Sequence, residues 1–341
     1  MAEIPAYSVV VVTYNHGTTL PACLAAVNRL QPPPERVVLV DNASNDGSTE
    51  IAEVHAGALP LQLIRRDSNT GFSSAANTAI ARTSSPWVLL LNPDCAPRPD
   101  YVSSLLESAR TRPESDRIGS ATGKLLRASG TSLETGTTID AAGMVVTASG
   151  RHFDRGAGSA DDGQFDRPAW VFGGTGAATL YRRAALVDVA YPDGEVFANN
   201  FFAYREDAEL AWRLQWRDWR CLYEPQAVAA HRRGFQPESG RRGHDEINRL
   251  SVRNRFLLRL HCADIGWHMG CFPWWLLRDV AVVGACCTVE RGSLPALGDV
   301  WRLRRDAAAR RRWVMDRRTQ SPRRLRCWFR KRGWTGEILS S

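Results

Sequence analysis

The sequence predicts an α/β protein with a mostly parallel sheet flanked by helices, and three observations support this fold class. Residues 8–13, 37–40 and 88–91 are apolar runs without alternation, as expected of strands buried on both faces of a parallel sheet. Segments with helical spacing lie between these runs, which indicates parallel strands joined by right-handed crossovers. The chain has 341 residues, 44% of them hydrophobic, so it can bury a large core as one large domain or two.

The first third of the chain alternates strands with helices. The predicted strands are residues 8–13, 37–40, 61–64 and 88–91, and helices are expected from about residue 19 and over 49–54, 73–81 and 99–110. Pro21 lies near the first turn of the first helix, a position that proline tolerates. Pro93 cannot donate to a sheet ladder, so the fourth strand should end at Asn92.

Polar side chains follow the ends of these four strands. They are Thr13, Asp41, Asn69 just beyond the third strand, and Asp94. The carboxyl ends of parallel strands meet at one edge of a sheet, where open α/β sheets bind ligands. Asp94 at this edge can hold a divalent cation against a diphosphate, because hard cations take oxygen ligands. Four ordinary turns have no need to collect polar groups along one edge, so the pattern predicts a binding site there.

The pattern loosens after the fourth helix. Residues 129–167 are rich in Gly, Ser, Thr and Asp and should form hairpins and loops. Residues 170–177 read as a strand entering a glycine-rich turn, which allows close approach of a ligand or merely a tight turn. A short helix should begin at Arg182, a second helix near residue 206, and a short strand over 227–230. Tryptophans on the second helix are interpreted as core, and Glu209 as solvated.

The chain changes character after residue 248. Residues 256–260 and 267–283 mix apolar and aromatic side chains with charged ones, which fits either helices in a membrane interface or an ordinary helical subdomain. The apolar stretch 280–287 is far shorter than the roughly 20 residues that span a bilayer. Residues 1–7 show no signal peptide, so we expect a cytoplasmic protein.

Charge is concentrated near the carboxyl end. The formal net charge is +8, whereas residues 302–332 alone carry about +12. This basic segment favours an anionic partner, a membrane lipid or a nucleic acid. The eight cysteines show no paired C-x-x-C spacing, so structural zinc and disulfides are not expected, and most should be small buried apolar residues.

A series of motifs resembles family 2 glycosyltransferases, and within them the bacterial rhamnosyltransferases, over roughly residues 7–260. The motifs are Thr13-Tyr14-Asn15, Val40-Asp41-Asn42-Ala43-Ser44, Asn69-Thr70-Gly71-Phe72 with Asn77, Asn92-Pro93-Asp94, Gly173-Gly174-x-Gly176, Glu206-Asp207-x-x-Leu210 and His231. Their joint order is specific, although no single one is. The resemblance implies a GT-A fold, with a Rossmann-like nucleotide-binding half, an acceptor half and here a helical C-terminal extension.

The resemblance also implies roles for individual residues. The nucleotide-binding residues would be Thr13, Tyr14, Asn15, Asp41, Asn69, Gly71, Asn77 and Asn92. The metal ligands would be Asp94 and His231, for Mg²⁺ or Mn²⁺. The catalytic base would be Asp207, with Glu206 beside it as the alternative, and both could instead be plain helix-terminal acids. The acceptor-binding residues would be Trp170, Gly173, Gly174 and Thr175.

These residues lead to a functional prediction. We expect a metal-dependent, inverting glycosyltransferase that moves a hexose, L-rhamnose from dTDP-rhamnose, to a glycan or polyprenyl-diphosphate-linked acceptor in cell-surface polysaccharide synthesis. The alternatives are a UDP-hexose-dependent transferase and a non-catalytic nucleotide-sugar-binding scaffold. A nucleic-acid partner is disfavoured because no nucleic-acid-binding module is recognisable.

The predicted organisation has three parts. Residues 1–125 form the nucleotide-sugar-binding half, 126–247 the acceptor-binding and catalytic half, and 248–341 a basic helical region that associates with an anionic membrane. The protein would then be peripheral on the inner face of the cell membrane. The oligomeric state is open, a homodimer included.

Overall fold

A computed structural model describes residues 4–233 and 245–329 of the chain. The end of the predicted basic segment, from residue 330, lies outside the described residues, as does the boundary region 234–244. The strands are β1 Tyr7–Thr13, β2 Arg36–Asp41, β3 Leu61–Arg65, β4 Trp87–Leu91, β5 Cys95–Pro97, β6 Ile118–Ser129, β7 Glu134–Ala141, β8 Met144–Val146, β9 His152–Asp154, β10 Ala169–Val171, β11 Ala178–Arg182 and β12 Arg220–His231.

The helices flank the sheet and continue to the carboxyl end. They are α1 Leu20–Asn28, α2 Ser48–His55, α3 Phe72–Ile80, α4 Tyr101–Arg110, α5 Arg183–Val189, α6 Glu206–Trp216, α7 Asp245–Cys262, α8 Ile265–Gly270, α9 Trp274–Cys287, α10 Pro295–Arg317 and α11 Pro322–Cys327. Short 3-10 turns lie at Ser115–Arg117, Asn199–Phe201 and Arg291–Ser293.

The central element is a sheet of 10 strands in which parallel and antiparallel pairs are mixed. Its main path runs β10-β12-β6-β11-β4-β1-β2-β3, with β5 paired to β12 and β7 paired to β6. The four predicted strands β1 to β4 are parallel to one another, in the order β4-β1-β2-β3, which confirms the α/β prediction. Strand β11 is antiparallel to both β4 and β6, so the sheet changes direction there.

The doubly buried strands separate two layers of core. In β1, Val9 and Val11 pack into one hydrophobic cluster, whereas Val10 and Val12 pack into another on the opposite face. Because side chains alternate across a strand, an unbroken valine run is what a sheet covered on both faces requires. Six of the eight cysteines are buried, as expected for small apolar side chains.

Two strands are longer than the sequence indicates. Strand β6, with 12 residues, was not predicted, and β12 begins at Arg220 rather than near residue 227. Both contain residues of low strand propensity, and they are paired with each other in parallel within the sheet. Tertiary pairing therefore decides their length.

The helices after β12 close the fold around α6. Trp212 and Trp216 of α6 are buried, as predicted for core residues. Trp267 of α8 and Phe329 pack on Trp212 with ring centroids 5.7 Å and 4.8 Å away. At least part of the C-terminal region thus forms a hydrophobic core with the sheet domain.

Helix α9 differs from its neighbours because much of its surface is exposed. Trp274 and Leu277 are each 60% exposed and Val280 is 64% exposed. Among the residues that the structure describes, no single helix meets the length and hydropathy expected of a membrane span. Only the pair Trp274–Cys287 and Arg291–Arg317, bent by 110°, reaches them together, on length and composition alone.

Candidate functional site

A cavity of about 750 Å³ opens at the carboxyl ends of β1, β4 and β12. The loop before α6 and the first turns of α7 complete its wall. The predicted site residues that line it are Tyr14, Asn69, Gly71, Asn92, Asp94, Thr175, Glu206, Asp207 and His231. The fold therefore gathers residues from six separate motifs at the sheet edge where the sequence predicted a site.

One end of the cavity is built by two asparagines that lock neighbouring loops together. Asn42 Nδ2 donates to Asn69 Oδ1 at 2.7 Å, and Asn42 Oδ1 accepts from the Thr70 amide at 3.2 Å. Asn69 Oδ1 also accepts from the Gly71 amide at 2.9 Å. Gly71 has φ +85°, and a Cβ there would lie 2.6 Å from Phe202. Only glycine fits at this contact between the two walls.

The opposite wall carries a buried charge network centred on His231. Its Nδ1 lies 2.7 Å from Asp140 Oδ2, and its Nε2 lies 3.3 Å from Asp94 Oδ1. Burial alone would lower the pKa of His231, but the hydrogen bond with Asp140 and the Asp94 carboxylate raise it to about 9. Arg233 donates to Asp140 Oδ1 at 2.6 Å and to Asp154.

Asp94 is the member of this network that lines the cavity and has an oxygen able to accept a further ligand. It is 7% exposed, and apart from the 3.3 Å contact with His231 Nε2 its Oδ1 has no partner among the described residues. A buried carboxylate oxygen that has one long contact can accept a further ligand at low cost. The position therefore fits a cation.

The donor set also limits what kind of cation site this is. No cluster of three or more His, Cys, Asp or Glu side chains suited to a metal ion occurs within residues 4–233 and 245–329. Asp140 is already engaged by His231 and Arg233, and both partners lower its pKa against the opposing effect of burial. Among the described residues, Asp94 and His231 are the ligands that remain, and an ion held by these two needs further ligands such as oxygens of a bound phosphate.

Two adjacent carboxyl groups project into the cavity from the first turn of α6. Asp207 Oδ2 accepts from the Gly176 amide at 3.1 Å and its Oδ1 from the Ala208 amide at 2.7 Å. Burial, reinforced by the charge of Asp154, raises the pKa of Asp207 to about 6. Burial and the charge of Asp207 raise the pKa of Glu206 to about 8. Of this coupled pair, Asp207 has the lower pKa and is therefore the first to ionise as the pH rises.

The loop that delivers these two groups has an uncommon backbone. Phe202, Tyr204 and Arg205 have φ values of 64°, 70° and 73°, in the left-handed region that side chains disfavour. Asn254 of α7 is fully buried, and its Nδ2 lies 2.8–2.9 Å from three carbonyl oxygens, those of Phe201, Ala203 and Tyr204. Helix α7 thereby fixes the entry into α6.

Arg205 also reaches into the site beside His152. Its Nη1 lies 3.2 Å from His152 Nδ1, and its Nε donates to the Ser251 carbonyl at 3.2 Å. Burial, and then the charges of Arg205, Arg255 and Arg151, hold the pKa of His152 well below its usual value. His152 is therefore neutral in this wall of the cavity.

Several predicted residues lie away from the cavity surface. Asp41 is 3% exposed, and its two oxygens accept from the Ser44 amide at 3.2 Å and from Thr49 Oγ1 at 2.7 Å. Thr13 is fully buried. Asn15 is exposed and accepts from the Asn45 amide at 2.9 Å. Their assignment to the nucleotide stays a prediction.

Asn77 is placed by a structural contact. Its Oδ1 accepts from the amides of Val196 and Phe197 at 3.1 Å and 2.9 Å, and its Nδ2 donates to the Phe197 carbonyl at 2.7 Å. The side chain thus joins α3 to the segment before α6. It does not line the cavity.

Three of the four predicted acceptor residues are packing positions. A Cβ on Gly173 would lie 2.4 Å from the Ala211 side chain, and one on Gly174 would lie 2.2 Å from Thr179 Oγ1. Trp170 lies under the Arg220 guanidinium, 5.3 Å from the ring centroid. Only Thr175 of this group lines the cavity.

Other lining residues were not predicted. They are His16, Asn42, Asp140, His152, Asp154, Arg205 and Arg233, among others. Asn42 and Arg233 stand one and two positions from predicted residues, so their neighbours were a usable signal. Asp140, His152 and Asp154 lie in the stretch 129–167, whose irregular composition gave none. Glu209, expected to be solvated, is fully buried against Arg213 at 2.8 Å.

Comparison with known proteins identifies the family of the chain. Residues 8–189 match the family described as Glycosyl transferase family 2. The chain is 26% identical over 310 residues to an N-acetylglucosaminyl-diphospho-decaprenol L-rhamnosyltransferase of Mycobacterium tuberculosis, covering 80% of this chain and 90% of that protein.

Solved structures share the fold at low sequence identity. One is GalNAc-T7 with UDP, GalNAc and Mn²⁺, at a TM-score of 0.61 and 15% identity, covering 92% of this chain and 57% of that one. Another is S. aureus TarS 1-349 in complex with UDP, at a TM-score of 0.53 and 17% identity, covering 97% and 89%. The fold prediction and the family prediction are confirmed, and the chain belongs to glycosyltransferase family 2, as a nucleotide-sugar-dependent glycosyltransferase.

Proposed function

We propose that the protein transfers L-rhamnose from dTDP-L-rhamnose to a saccharide on polyprenyl diphosphate during synthesis of a cell-surface polysaccharide. The reaction would take place in the cavity and would invert the configuration of the anomeric carbon. The main supporting observation is that one cavity contains both Asp207, whose two oxygens accept backbone amides, and Asp94, whose Oδ1 has only a 3.3 Å contact with His231. The sugar and the acceptor class rest on the name of the mycobacterial relative. A UDP-hexose donor is the alternative.

The chemistry is a single displacement. The acceptor hydroxyl oxygen forms a bond to the anomeric carbon, the bond from that carbon to the diphosphate oxygen breaks, and the hydroxyl proton passes to the Asp207 carboxylate. The two amides that hold Asp207 fix its orientation. Glu206 has the higher pKa of the coupled pair, so Asp207 is the carboxylate that is available to take the proton.

The departing diphosphate leaves with its bonding electrons and must be neutralised. Asp94 and His231 would hold Mg²⁺ or Mn²⁺, which when bound stabilises negative charge on the diphosphate. His231 must lose its proton to ligate, and its pKa of about 9 makes that competition pH-dependent. Without the ion, protonated His231 still places positive charge beside Asp94.

The proposal predicts which ligands stabilise the protein. Thermal unfolding should shift upward by about 5 °C with dTDP or UDP at a hundredfold excess over Kd, and more with Mn²⁺ or Mg²⁺ present. The nucleotide that gives the larger shift in unfolding temperature identifies the nucleobase that the site prefers, thymine or uracil. The variant Asp94→Asn should lose the metal-dependent part and keep the rest.

Two results would contradict the proposal. If no nucleotide shifts the unfolding temperature, the cavity does not bind a donor. If a nucleotide sugar binds but is never converted to free nucleotide in the presence of candidate acceptors, the non-catalytic scaffold is the better interpretation.

A further inference from the structure

A second cavity adjoins the catalytic one and is lined by arginine. Its volume is about 190 Å³, and it lies between α7 and α9. Arg255 of α7 and Arg278 of α9 line it, and Ser251 lines both this cavity and the catalytic one. The remaining wall is mainly small and apolar, with one carboxylate from Glu290. The catalytic mechanism described above uses none of these groups.

Among the residues that line this cavity, Arg255 is unusual because its guanidinium group is buried and two of its nitrogens have no hydrogen-bond partner in the described chain. It is 4% exposed, and its Nε and Nη1 atoms make no hydrogen bond within the described parts of the chain. Arg278 Nε is likewise buried without an acceptor there. Buried guanidinium groups normally have a carboxylate or carbonyl partner, because an unpaired buried charge is strongly destabilising.

Neighbouring positive charges further destabilise the charged form of Arg255. Burial is the main cause that lowers the pKa of Arg255 to about 9, and four further arginines add to it, namely Arg205, Arg278, Arg151 and Arg259. Arg259 is balanced by Asp279, and Arg205 is bonded to Ser251 and His152. Arg255 has no such partner in the described chain, so a bound anion would remove a standing energetic cost.

An exposed apolar surface leads away from this cavity along α9. Leu277 precedes Arg278 in sequence and is 60% exposed, as is Trp274 one turn earlier. Ala281 is exposed and also lines the arginine cavity. An anionic group in the cavity would therefore have the catalytic cavity on one side, through Ser251, and an apolar surface on the other.

We propose that the cavity formed by Arg255 and Arg278 binds the diphosphate of the acceptor, with the sugar directed into the catalytic cavity and the prenyl chain lying on the exposed face of α9. This inference rests on the proposed transferase function. Guanidinium groups are suited to phosphate because their fixed donors match its oxygens. The donor diphosphate, in contrast, belongs at Asp94.

Binding of farnesyl diphosphate to protein saturated with dTDP or UDP tests the site without requiring transfer. Arg255→Gln and Arg278→Gln should each weaken farnesyl diphosphate by about 10- to 100-fold, the loss expected for charge-assisted hydrogen bonds. Farnesol should bind weakly and equally to all variants. Arg305→Gln on α10, an exposed arginine, is the matched control for loss of one positive charge and should change affinity less than about 2-fold.

A stability measurement distinguishes a binding role from a structural one. Arg255→Gln should raise the unfolding temperature of the ligand-free protein, because it removes an uncompensated buried charge. A lowered unfolding temperature would assign Arg255 to the packing and overturn the proposal. Unchanged farnesyl diphosphate affinity in Arg255→Gln would overturn it equally.

Two further binding measurements on Arg255→Gln distinguish the acceptor diphosphate from the other phosphate groups that could occupy the cavity. If Arg255→Gln weakens the nucleotide as much as farnesyl diphosphate, the cavity serves the donor and the proposal is overturned. If it weakens only binding to phosphatidylglycerol vesicles, the ligand is a lipid headgroup and the proposal is again overturned.

Failure of the proposed diphosphate site can be distinguished from failure of the proposed transferase function. Arg255-dependent binding of farnesyl diphosphate in a protein that transfers no sugar would support the site while contradicting the proposed function. Sugar transfer with an acceptor KM that is unchanged in Arg255→Gln would support the function and overturn the site.

Discussion

At the scale of single residues, the site depends on a difference between two neighbouring acids. Glu206 and Asp207 stand on the same helical turn, yet only Asp207 has amide donors aimed at both of its oxygens. Glu206 Oε2 is buried and accepts no hydrogen bond in the described chain. Hydrogen bonds to a carboxylate favour its charged form, so the local environment divides the pair into a base and a neutral acid.

This division predicts the effect of conservative substitutions. Asp207→Asn should lower kcat by about 10²- to 10⁴-fold, the usual contribution of a general base, while the Kd for the nucleotide sugar stays within about 2-fold. Glu206→Gln should retain most activity because the neutral side chain already resembles an amide. Steady-state kinetics with donor-binding measurements check both.

The pH dependence provides a second check on the same assignment. A carboxylate must be ionised to accept a proton, so kcat/KM should rise with pH through about 6, the pKa of Asp207. The Glu206→Gln variant should keep this acidic limb. If the limb disappears in Glu206→Gln and full activity remains in Asp207→Asn, the roles of the two acids are reversed.

At the scale of elements, α7 determines the shape of the loop before α6. The loop contains three residues with positive φ, and each such residue has an energetic cost of about 1–3 kcal/mol. Asn254 supplies donors to the carbonyls of this loop, and Arg253 Nη2 donates to the Phe201 carbonyl at 2.7 Å. The loop conformation is therefore imposed by α7.

Removing that support should affect catalysis more than donor binding. Asn254→Ala should lower the free energy of unfolding by about 1–3 kcal/mol and reduce kcat by at least about 10-fold, because Asp207 is no longer held in place. The exposed Asn28→Ala is the control and should change neither. A destabilised Asn254→Ala protein with normal kcat would limit Asn254 to a role in stability.

At the scale of the whole molecule, most of the large exposed apolar residues lie in the C-terminal region, where the basic residues are also concentrated. The sequence left membrane association and ordinary packing open, and the structure contains surfaces of both kinds. Trp267 is fully buried, whereas Trp274 is 60% exposed. We propose that the exposed face of α9 rests in the interface of an anionic membrane, where tryptophan is favoured.

Vesicle binding tests this surface. Trp274→Ser with Leu277→Ser should reduce binding to phosphatidylglycerol vesicles by at least about 10-fold. The reason is that burial of each apolar side chain contributes about 1.5–3 kcal/mol to the free energy of binding. Val54→Ser with Val187→Ser replaces apolar residues elsewhere that are more exposed, at 81% and 69%, and should have little effect. Equal losses in both double variants would contradict a specific membrane face.

Truncation is a poor substitute for these point changes. Ala307 and Val314 of α10 are buried in the cluster that contains Trp212, so deleting residues from 301 onward would remove part of the core. Loss of membrane binding in such a protein would not separate unfolding from loss of charge.

The sequence by itself determined the layout of the donor half. Unalternating runs such as residues 8–13 can be satisfied only by burial on both faces, and the polar residues that follow them must then share one edge. This local information was enough to predict the fold class and to place Asn92 and Asp94 at that edge, whereas Asp207 and His231, which line the same cavity, were predicted from the resemblance to family 2 glycosyltransferases.

The tertiary structure alone decided which side chains face that cavity and which charges remain unpaired. Asp41 and Asn77 carry family motifs, yet neighbouring loops use their hydrogen-bonding groups. Asp140 and Arg255 lie in segments without a recognisable motif, and they become important because β12 and α9 fold beside them. Periodicity reports burial along one element, whereas hydrogen-bond partners and charge neighbours come from elements distant in sequence and are set only when the chain has folded.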